Sequence, residues 1–494
     1  MSFEQKAGSA MVWRTIQLVG IKGIFLARTL ILARLLFPED FGLFAIATSA
    51  TGFLMSITNV GLIPAVVQAE DMDERRYAAV WTFDTTRSFL VAVLTVIFAP
   101  LIADIFAEPS AVPIIRALAL RPFFESLTSI MVTALNRNLS FRPLAYLKIT
   151  EAIVSTTLSI ALAYYVGVWG LVLGTLGGTL SMVVTSYILA PHRPRLLYDW
   201  QAVKPLMNFG WWVLVTSLVS MAGNYGLRIA ISREMGAGGL GLYFIALQLA
   251  SVPSDFAREL VGGVAFPLFA RLQKEVSQAI WAFRAFFSGM AAILYPICAL
   301  LIILAPTLTH DVLGSKWAGT EDVIRILTLV VMIGVFGEVA VTVFRGFGQI
   351  YRITILEVVQ SSVTIAFVWI LTSRYGLVGA ALAWLPSILL SQILSIFFLR
   401  NILGQPFRGL QKPLAAILMA TGLCSLIAWM IIRIIPGIVG LIIAAALSAA
   451  CTAVFLWTVD RRFELGFSKN LALIFPQIAG YFGLSRLEAG QIKQ

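Results

Sequence analysis

The chain has 494 residues, of which 59% are hydrophobic and 12% charged, with a formal net charge of +11 and a mean hydropathy of +0.90. Soluble globular domains carry about a quarter charged residues, so this composition excludes that class and indicates a polytopic membrane protein. The basic excess sits in short loops, where it records topology and not a nucleic-acid surface.

Apolar runs recur at about 10–33, 42–66, 80–105, 112–134, 147–167, 169–190, 207–231, 240–264, 284–306, 322–344, 353–373, 377–399, 413–435 and 437–457. Each is long enough to cross a bilayer, which takes about 20 residues, so the expected fold is all-α with about fourteen transmembrane helices. The first run lacks a cleavage-site pattern and leads straight into the second, so it is expected to be a membrane span and not a removable signal. It carries Arg14, Lys22 and Arg28. A charge near the bilayer centre costs roughly 2.5–3.5 kcal/mol on insertion scales. At 100° per residue these cations and Gln17 fall within one half of a helix, and Ile16, Val19, Gly23, Leu26 and Leu30 fill the other. Two readings stand. Either Arg14 and Arg28 snorkel to headgroups while Lys22 pairs with an acid on a neighbouring helix, or the stripe faces a wet cavity that receives an anion.

One set of loops holds Arg75, Arg76, Arg137, Arg142, Lys148, Arg193, Arg195, Lys204, Arg271, Lys274, Arg345, Arg352, Arg400, Arg408, Lys412, Arg461 and Arg462. The alternate set offers Arg34, Arg233, Lys316, Arg374 and Arg433. The positive-inside rule then puts both termini in the cytoplasm.

Residues 32–47 line up without gaps on residues 231–246, with the Arg, the Gly-Leu-aromatic and the Ile-Ala coinciding. A looser echo pairs Gly167-Val168-Trp169-Gly170 with Gly376-Leu377-Val378-Gly379. Spans 1–6 thus repeat as spans 7–12, in parallel, about an axis along the membrane normal. The expected division is a six-helix bundle over 1–195, a second over 203–400, two additional helices over 401–460 and a cytoplasmic interfacial tail over 461–494. Transporters commonly bind substrate where two such halves meet.

Span 7, the partner of span 1, carries Asn224 and Arg228, so both halves open on a helix with a polar cation. Arg228 also lies near enough to the outer surface to snorkel. Asp84 with Arg87 reads as an i, i+3 couple, and Asp255, Arg258 and Glu259 read alike. Glu125 and Glu338 have no local partner; either pairs with the cations above or carries a proton or Na⁺ during transport. Gly334 and Gly337 beside Glu338 are expected to admit a neighbouring backbone, and Gly170, Gly174 and Gly178 form a close-packing seam. Residues 267–284 are expected to lie along the inner surface, and the segment 471–484, too short to span, to be interfacial.

No G-x-x-x-x-G-K-[ST] is present, His192 and His310 lie in opposite loops, and Cys298, Cys424 and Cys451 have no metal-ligand spacing. No metal or cofactor is expected. Glu39-Asp40 is the sharpest catalytic candidate, since membrane glycosyltransferases hold acids in an outer loop; with Pro38 ahead, the simpler role is to start span 2.

Leu36-Phe37-Pro38-Glu39-Asp40-Phe41-Gly42-Leu43, Val60-Gly61-Leu62-Ile63-Pro64-Ala65-Val66-Val67-Gln68, Pro194-Arg195-Leu196, Gly241-Leu242-Tyr243, Phe266-Pro267-Leu268-Phe269-Ala270-Arg271-Leu272-Gln273 and Gly314-Ser315-Lys316-Trp317 occur in that order. Together they resemble the polysaccharide exporters of the multidrug/oligosaccharidyl-lipid/polysaccharide flippase superfamily, especially the branch containing the colanic acid exporter. The resemblance implies a V-shaped pair of six-helix bundles in the bacterial inner membrane that moves a polyprenyl-pyrophosphate-linked oligosaccharide. One departure stands out. Where the family often has an acid in span 7, this chain has Leu227 and Arg228.

The expected function is therefore a lipid-linked oligosaccharide flippase, not an enzyme, working by alternating access. Arg14, Lys22, Arg28, Asn224 and Arg228 are its expected substrate contacts, and Glu125, Glu338, Asp84 and Asp255 the candidates for ion coupling. Its expected partners are the lipid-linked oligosaccharide, membrane lipids, a polysaccharide polymerase and a chain-length regulator, with no nucleic acid. Two alternatives remain. A drug/cation antiporter of the same superfamily favours an acidic cavity, and a membrane glycosyltransferase or polymerase needs larger outer loops and a catalytic acid.

Overall fold

Apolar runs of spanning length form helices, and glycines with positive φ turn or break them at 167, 236 and 376. The computed structural model describes residues 20–58, 66, 73–137, 140–201, 203 and 210–463, most of them helical apart from loops such as 191–199, with no β-strand among them. Helix α1 covers 20–35 and α2 covers Pro38–Thr58. Pro38 supplies the preset φ of a first helical position, and Asp40 accepts a hydrogen bond from the Phe37 amide at 3.0 Å. That is half of a capping box, so the acid pair is used as a helix start.

Asp73 caps α3 (Glu74–Ile105) by accepting the Arg76 amide at 2.8 Å. The run at 112–134 is not one straight helix. Segment α4 (Pro109–Ser126) and α5 (Met131–Arg137) meet at 63°. Residues 127–130 leave the helix, and Ser129 Oγ donates to Ala190 O at 2.6 Å, beyond the end of the helix that packs on the break. The groups freed by the break are collected by α7 (Val168–Leu189): Ser129 N donates to Ser186 Oγ at 3.0 Å, and Tyr187 Oη donates to Leu127 O at 3.0 Å. Irregular backbone at membrane depth survives only with such partners or beside a cavity.

Gly167, at φ +58°, turns α6 (Phe141–Val166) back onto α7. A Cβ on Gly170, Gly174 or Gly178 would collide with Ala163, Ser159 or Ser155 of α6. The glycine seam is thus a backbone-to-backbone contact. Helix α8 (Gly210–Arg271) is broken at Gly236, at φ +67°. Helices α9 (Val276–Thr307), α10 (Thr320–Gly346), α11 (Ile350–Leu382), α12 (Trp384–Leu403), α13 (Gln411–Ile434) and α14 (Ile438–Phe463) complete the chain. Gly376 breaks α11 at φ +58° and ψ −136°, close to the +58° and −129° of Gly167, so the looser sequence echo is also a conformational one.

Among the described residues eleven helices are long and apolar enough to cross a membrane, or twelve if α4–α5 counts as one span. Most of the first expected run lies outside the described residues, and the runs at 207–231 and 240–264 fall on the single broken α8. No separate surface helix covers 267–284. Helix α8 continues to Arg271, a short turn follows, and Val276 already belongs to α9. The tail segment 471–484 lies outside the described residues.

By packing, the chain divides into two compact units, Met1–Ile245 and Ala246–Gln494. In the first, the repeat shows as reciprocal contact. A Cβ on Gly42 would collide with the Ala237 carbonyl, and one on its repeat partner Gly241 would collide with the carbonyl of Pro38, the partner of Ala237. The second unit is built on an aromatic core in which Phe283, Phe287, Phe336 and Phe407 meet with ring centroids 5.5–6.2 Å apart. Helices α13 and α14 pack on α9 through small apolar clusters containing Ala291, Ala416 and Ile417, and Leu304, Ala428 and Ala444.

Candidate functional site

The glycine seam sets the site. Because α6 and α7 touch through backbone, Ser155 and Thr175 stand side by side, and Arg28 of α1 reaches both. Its guanidinium donates to Ser155 Oγ at 3.0 Å and to Thr175 Oγ1 at 3.4 Å. It also sits 5.9 Å from the centroid of Phe25, one turn earlier. Arg28 is 8% exposed, and among the described residues no carboxylate lies within ion-pair distance of it. A buried guanidinium held only by neutral hydroxyls keeps most of its desolvation penalty.

Helix α8 repeats this arrangement. Arg228 donates to Ser49 Oγ at 2.7 Å and sits 5.8 Å from the centroid of Tyr225, again one turn earlier. It too has no ion-pair partner among the described residues. The shared pattern is aromatic-x-x-Arg, Phe25 to Arg28 and Tyr225 to Arg228, one residue out of register with the repeat alignment. Sequence reasoning picked out both arginines and overlooked their aromatic partners, although the spacing was there to be read.

The other expected contacts are placed differently. Arg14 lies outside the described residues, and Lys22 and Asn224 are exposed. In the described part of the α1 stripe, then, Lys22 is exposed and Arg28 is buried. Arg121, on α4, was not singled out from sequence. It exerts a like-charge effect on Arg28, and its buried Nε has no hydrogen-bond partner among the described residues. A charge inside the apolar run 112–134 was the available signal.

The acids fall into two groups. Asp84 pairs with Arg87 at 2.7 Å, and Asp255 with Arg258 at 2.6 Å, both at i, i+3. The side chain of Glu259 lies outside the described residues. Glu125 is exposed and Glu338 half-buried, and neither carboxylate has a hydrogen-bond or ion-pair partner among the described residues. What Gly337 admits beside Glu338 is a side chain and not a backbone: a Cβ there would lie 2.8 Å from Gln392 Nε2. Gln392 is 9% exposed and its Oε1 is unbonded among the described residues.

Comparison with known proteins agrees with this architecture. The chain is 22% identical over 419 residues to the lipopolysaccharide biosynthesis protein WzxC of Escherichia coli (strain K12), covering 83% of this chain and 84% of that protein. It is 24% identical over 379 residues to the teichuronic acid biosynthesis protein TuaB of Bacillus subtilis (strain 168), covering 74% and 77%. Among solved structures, the lipid II flippase MurJ in an inward closed conformation matches with a TM-score of 0.72 at 14% identity, covering 92% of this chain and 99% of that one. A multidrug resistance MATE family transporter of the MOP superfamily, inward-facing, matches with a TM-score of 0.62 at 16% identity, covering 81% and 99%. Those structural likenesses establish the fold of a polytopic helical membrane protein. Residues 31–322, more than half of the chain, match the model described as polysaccharide biosynthesis protein, and the chain belongs to that family.

Proposed function

We propose that this protein is a flippase, not an enzyme, that carries a polyprenyl-pyrophosphate-linked oligosaccharide across the bacterial inner membrane by alternating access. The observation that carries the proposal is the pair of guanidiniums at Arg28 and Arg228, each held by hydroxyls and an aromatic ring and lacking a carboxylate among the described residues. An anion is the ligand such groups lack. Of the anions that a polysaccharide-assembly membrane offers, a lipid pyrophosphate has the most to gain. It bears two or more charges, and its passage through hydrocarbon is otherwise prohibitive. Arginine grips phosphate oxygens in a planar fork, so each residue supplies geometry as well as charge. The names of the similar proteins, tied to lipopolysaccharide, teichuronic acid and lipid II, support the same substrate class.

In this reading the basic loops face the cytoplasm, the substrate enters from that side, and its polyprenyl tail stays in the bilayer while the head crosses. Lys22 and Asn224, exposed on α1 and α8, serve as first contacts, and Arg14 as a headgroup contact. Glu338, next to the unbonded Gln392, is the proposed coupling group, with Glu125 second; Asp84 and Asp255 are already neutralised by their neighbours. A polymerase and a chain-length regulator are the proposed protein partners.

The test is translocation of a polyprenyl-pyrophosphate-linked oligosaccharide in vesicles, normalised to folded protein. Wild type is expected to accelerate it, and Arg28→Ala or Arg228→Ala to slow it by about ten- to a hundredfold, the worth of one charge-assisted contact of about 1.5–3 kcal/mol. No acceleration by wild type overturns the proposal. Normal rates in both variants overturn the anion grip.

A further inference from the structure

Residues 191–199, which follow α7, lie outside any helix yet are tied to α3. Thr82 Oγ1 accepts from Leu197 N at 2.9 Å and lies 3.2 Å from Arg195 O. Thr86 Oγ1 meets Tyr198 Oη at 2.9 Å, and Arg75 pairs with Asp199 at 2.6 Å. The Phe83 ring stands 5.9 Å from that of Tyr198 and 6.0 Å from that of Trp200. These contacts decide what is left outside. Leu197 and Asp199 are half-buried, while Leu196, Tyr198 and Trp200 keep 75%, 65% and 53% of their exposure. Alternate residues of an extended segment point to opposite sides, so one side is spent on α3 and the other is an apolar row. Arg193 and Arg195, just ahead of that row, are exposed and have no ion-pair partner among the described residues.

Helix α3 fixes the depth of the row. At 100° per residue, Thr82, Phe83 and Thr86 share about a third of the helix circumference with Leu90, Val93, Ile97 and Leu101. Those four apolar residues are exposed on a helix long and apolar enough to cross a membrane, so this face looks at lipid. Thr82 lies on the same face and is buried because the segment covers it. The apolar stripe stops at Phe89 and Leu90, and Thr86, with Tyr198 upon it, stands one turn beyond, toward the end that carries Arg75 and Arg76. One turn rises about 5.4 Å, so the row lies where hydrocarbon gives way to headgroups. Tyrosine and tryptophan suit that level, apolar in body and polar at the tip, and cations there attract anionic lipid.

We propose that residues 193–200 form an interfacial anchor: Leu196, Tyr198 and Trp200 enter the headgroup layer on the side of the basic loops, and Arg193 and Arg195 bind the phosphates of anionic phospholipids there. Two features commit the surface to this occupant. The row continues the lipid-facing stripe of α3, and its flanking charges complement a phosphate layer. Pro191 and Pro194 keep the segment out of a helix, which leaves both arginines at the surface. The inference needs only a membrane-spanning chain and stands apart from the flippase reading.

The experiment uses the full chain in phosphatidylcholine nanodiscs. Cys298 and Cys424 are buried, so Cys451→Ala removes the exposed native thiol and Leu196→Cys, at an exposed position, carries a bimane fluorophore. Phosphatidylglycerol or phosphatidylcholine with a nitroxide near the top of one acyl chain is titrated in, and aqueous iodide serves as the water probe. One basic residue near an anionic surface enriches it by about fivefold, so half-quenching is expected at an at least about fivefold lower mole fraction of labelled phosphatidylglycerol than of labelled phosphatidylcholine. Iodide is expected to quench weakly. With Arg193→Gln/Arg195→Gln added, the two lipids are expected to quench alike and iodide still weakly. Strong iodide quenching with none from either lipid overturns the anchor and leaves a surface open to water or to another protein. Equal quenching by both lipids with the arginines in place, or a preference that survives their removal, overturns the anionic recognition.

Discussion

Replacing Arg28 with Met separates a binding role from a structural one, because the structure predicts opposite signs for stability and activity. Arg28 is 8% exposed and has one good hydrogen bond, 3.0 Å to Ser155, and one long bond, 3.4 Å to Thr175. Burying its charge costs several kcal/mol after relaxation, while hydrogen bonds to a charged group return about 1.5–3 kcal/mol each, less for the long one. The balance is near zero or unfavourable. Removing the charge also orphans no acid. Arg28→Met is therefore expected to leave thermal stability within a few degrees of wild type, or raise it, while translocation falls at least tenfold.

Arg87→Met is the control, the same chemical change at a paired arginine. It strips Asp84 of its 2.7 Å partner in a site where both side chains keep about a fifth of their exposure (19% and 20%). Breaking a buried pair costs about 3–5 kcal/mol, and the lower end applies here because water reaches both groups. That variant is expected to lose folded protein. The assay is thermal unfolding in nanodiscs beside vesicle translocation per folded molecule. If Arg28→Met destabilises as much as Arg87→Met, Arg28 is a structural residue and the anion-grip argument falls.

Three further outcomes follow from particular contacts. Gly174→Ala should destabilise by about 1–3 kcal/mol, since its Cβ would lie 2.6 Å from Ser159 N and would push apart the α6–α7 seam that sets Ser155 and Thr175. Gly177→Ala, whose Cβ meets only the movable tip of Leu158, should be neutral or gain up to about 1 kcal/mol of helix propensity, measured in the same unfolding assay. Glu338→Gln should fold normally but lose dependence of transport on an imposed proton gradient; an unchanged dependence returns Glu338 to a packing role. A cysteine label at Lys316 should react from outside intact cells, and labels at Arg142, Arg195 and Lys412 only after permeabilisation, whereas the reverse pattern inverts the proposed direction of transport; Trp317 is fully buried and is no use as a reporter.

What could be read from the sequence was whatever depends on local spacing. The glycine seam at 170, 174 and 178, the Asp84–Arg87 couple and the Pro38-Glu39-Asp40 helix start all follow from neighbours within one or two turns, and each is present. The broken span was not legible. Nothing in the hydropathy of 112–134 announces that Ser186 and Tyr187, more than fifty residues away, will collect the groups freed at 127–130. Arg28 was found for its charge, but its burial depends on where α6 and α7 meet, and that is a tertiary fact. The role given to Gly337 failed similarly: a glycine signals close approach without saying whether backbone or, as here, the Gln392 side chain approaches.

The repeat is where sequence and structure constrain each other most tightly, and it yields a last test. The ungapped alignment of 32–47 with 231–246 pairs Gly42 with Gly241 and Pro38 with Ala237. In the structure Gly42 abuts the Ala237 carbonyl and Gly241 abuts the Pro38 carbonyl. When residue i touches j and the partner of i touches the partner of j, the two segments are related by a local two-fold, as in an isologous interface. Such a contact makes a quantitative demand. Both substitutions, Gly42→Ala and Gly241→Ala, insert one methyl against a backbone carbonyl across the same interface, so their destabilisations should match within about 0.5 kcal/mol. Each should reach or exceed the usual overpacking range of about 1–3 kcal/mol, because a carbonyl cannot rotate away as a side chain can. The double variant should cost less than the sum, since the first methyl already separates the segments that the second would push; sites in direct contact are expected to be non-additive. One silent variant beside one destructive variant would mean that the two contacts are not equivalent, and that the local two-fold is a coincidence of sequence.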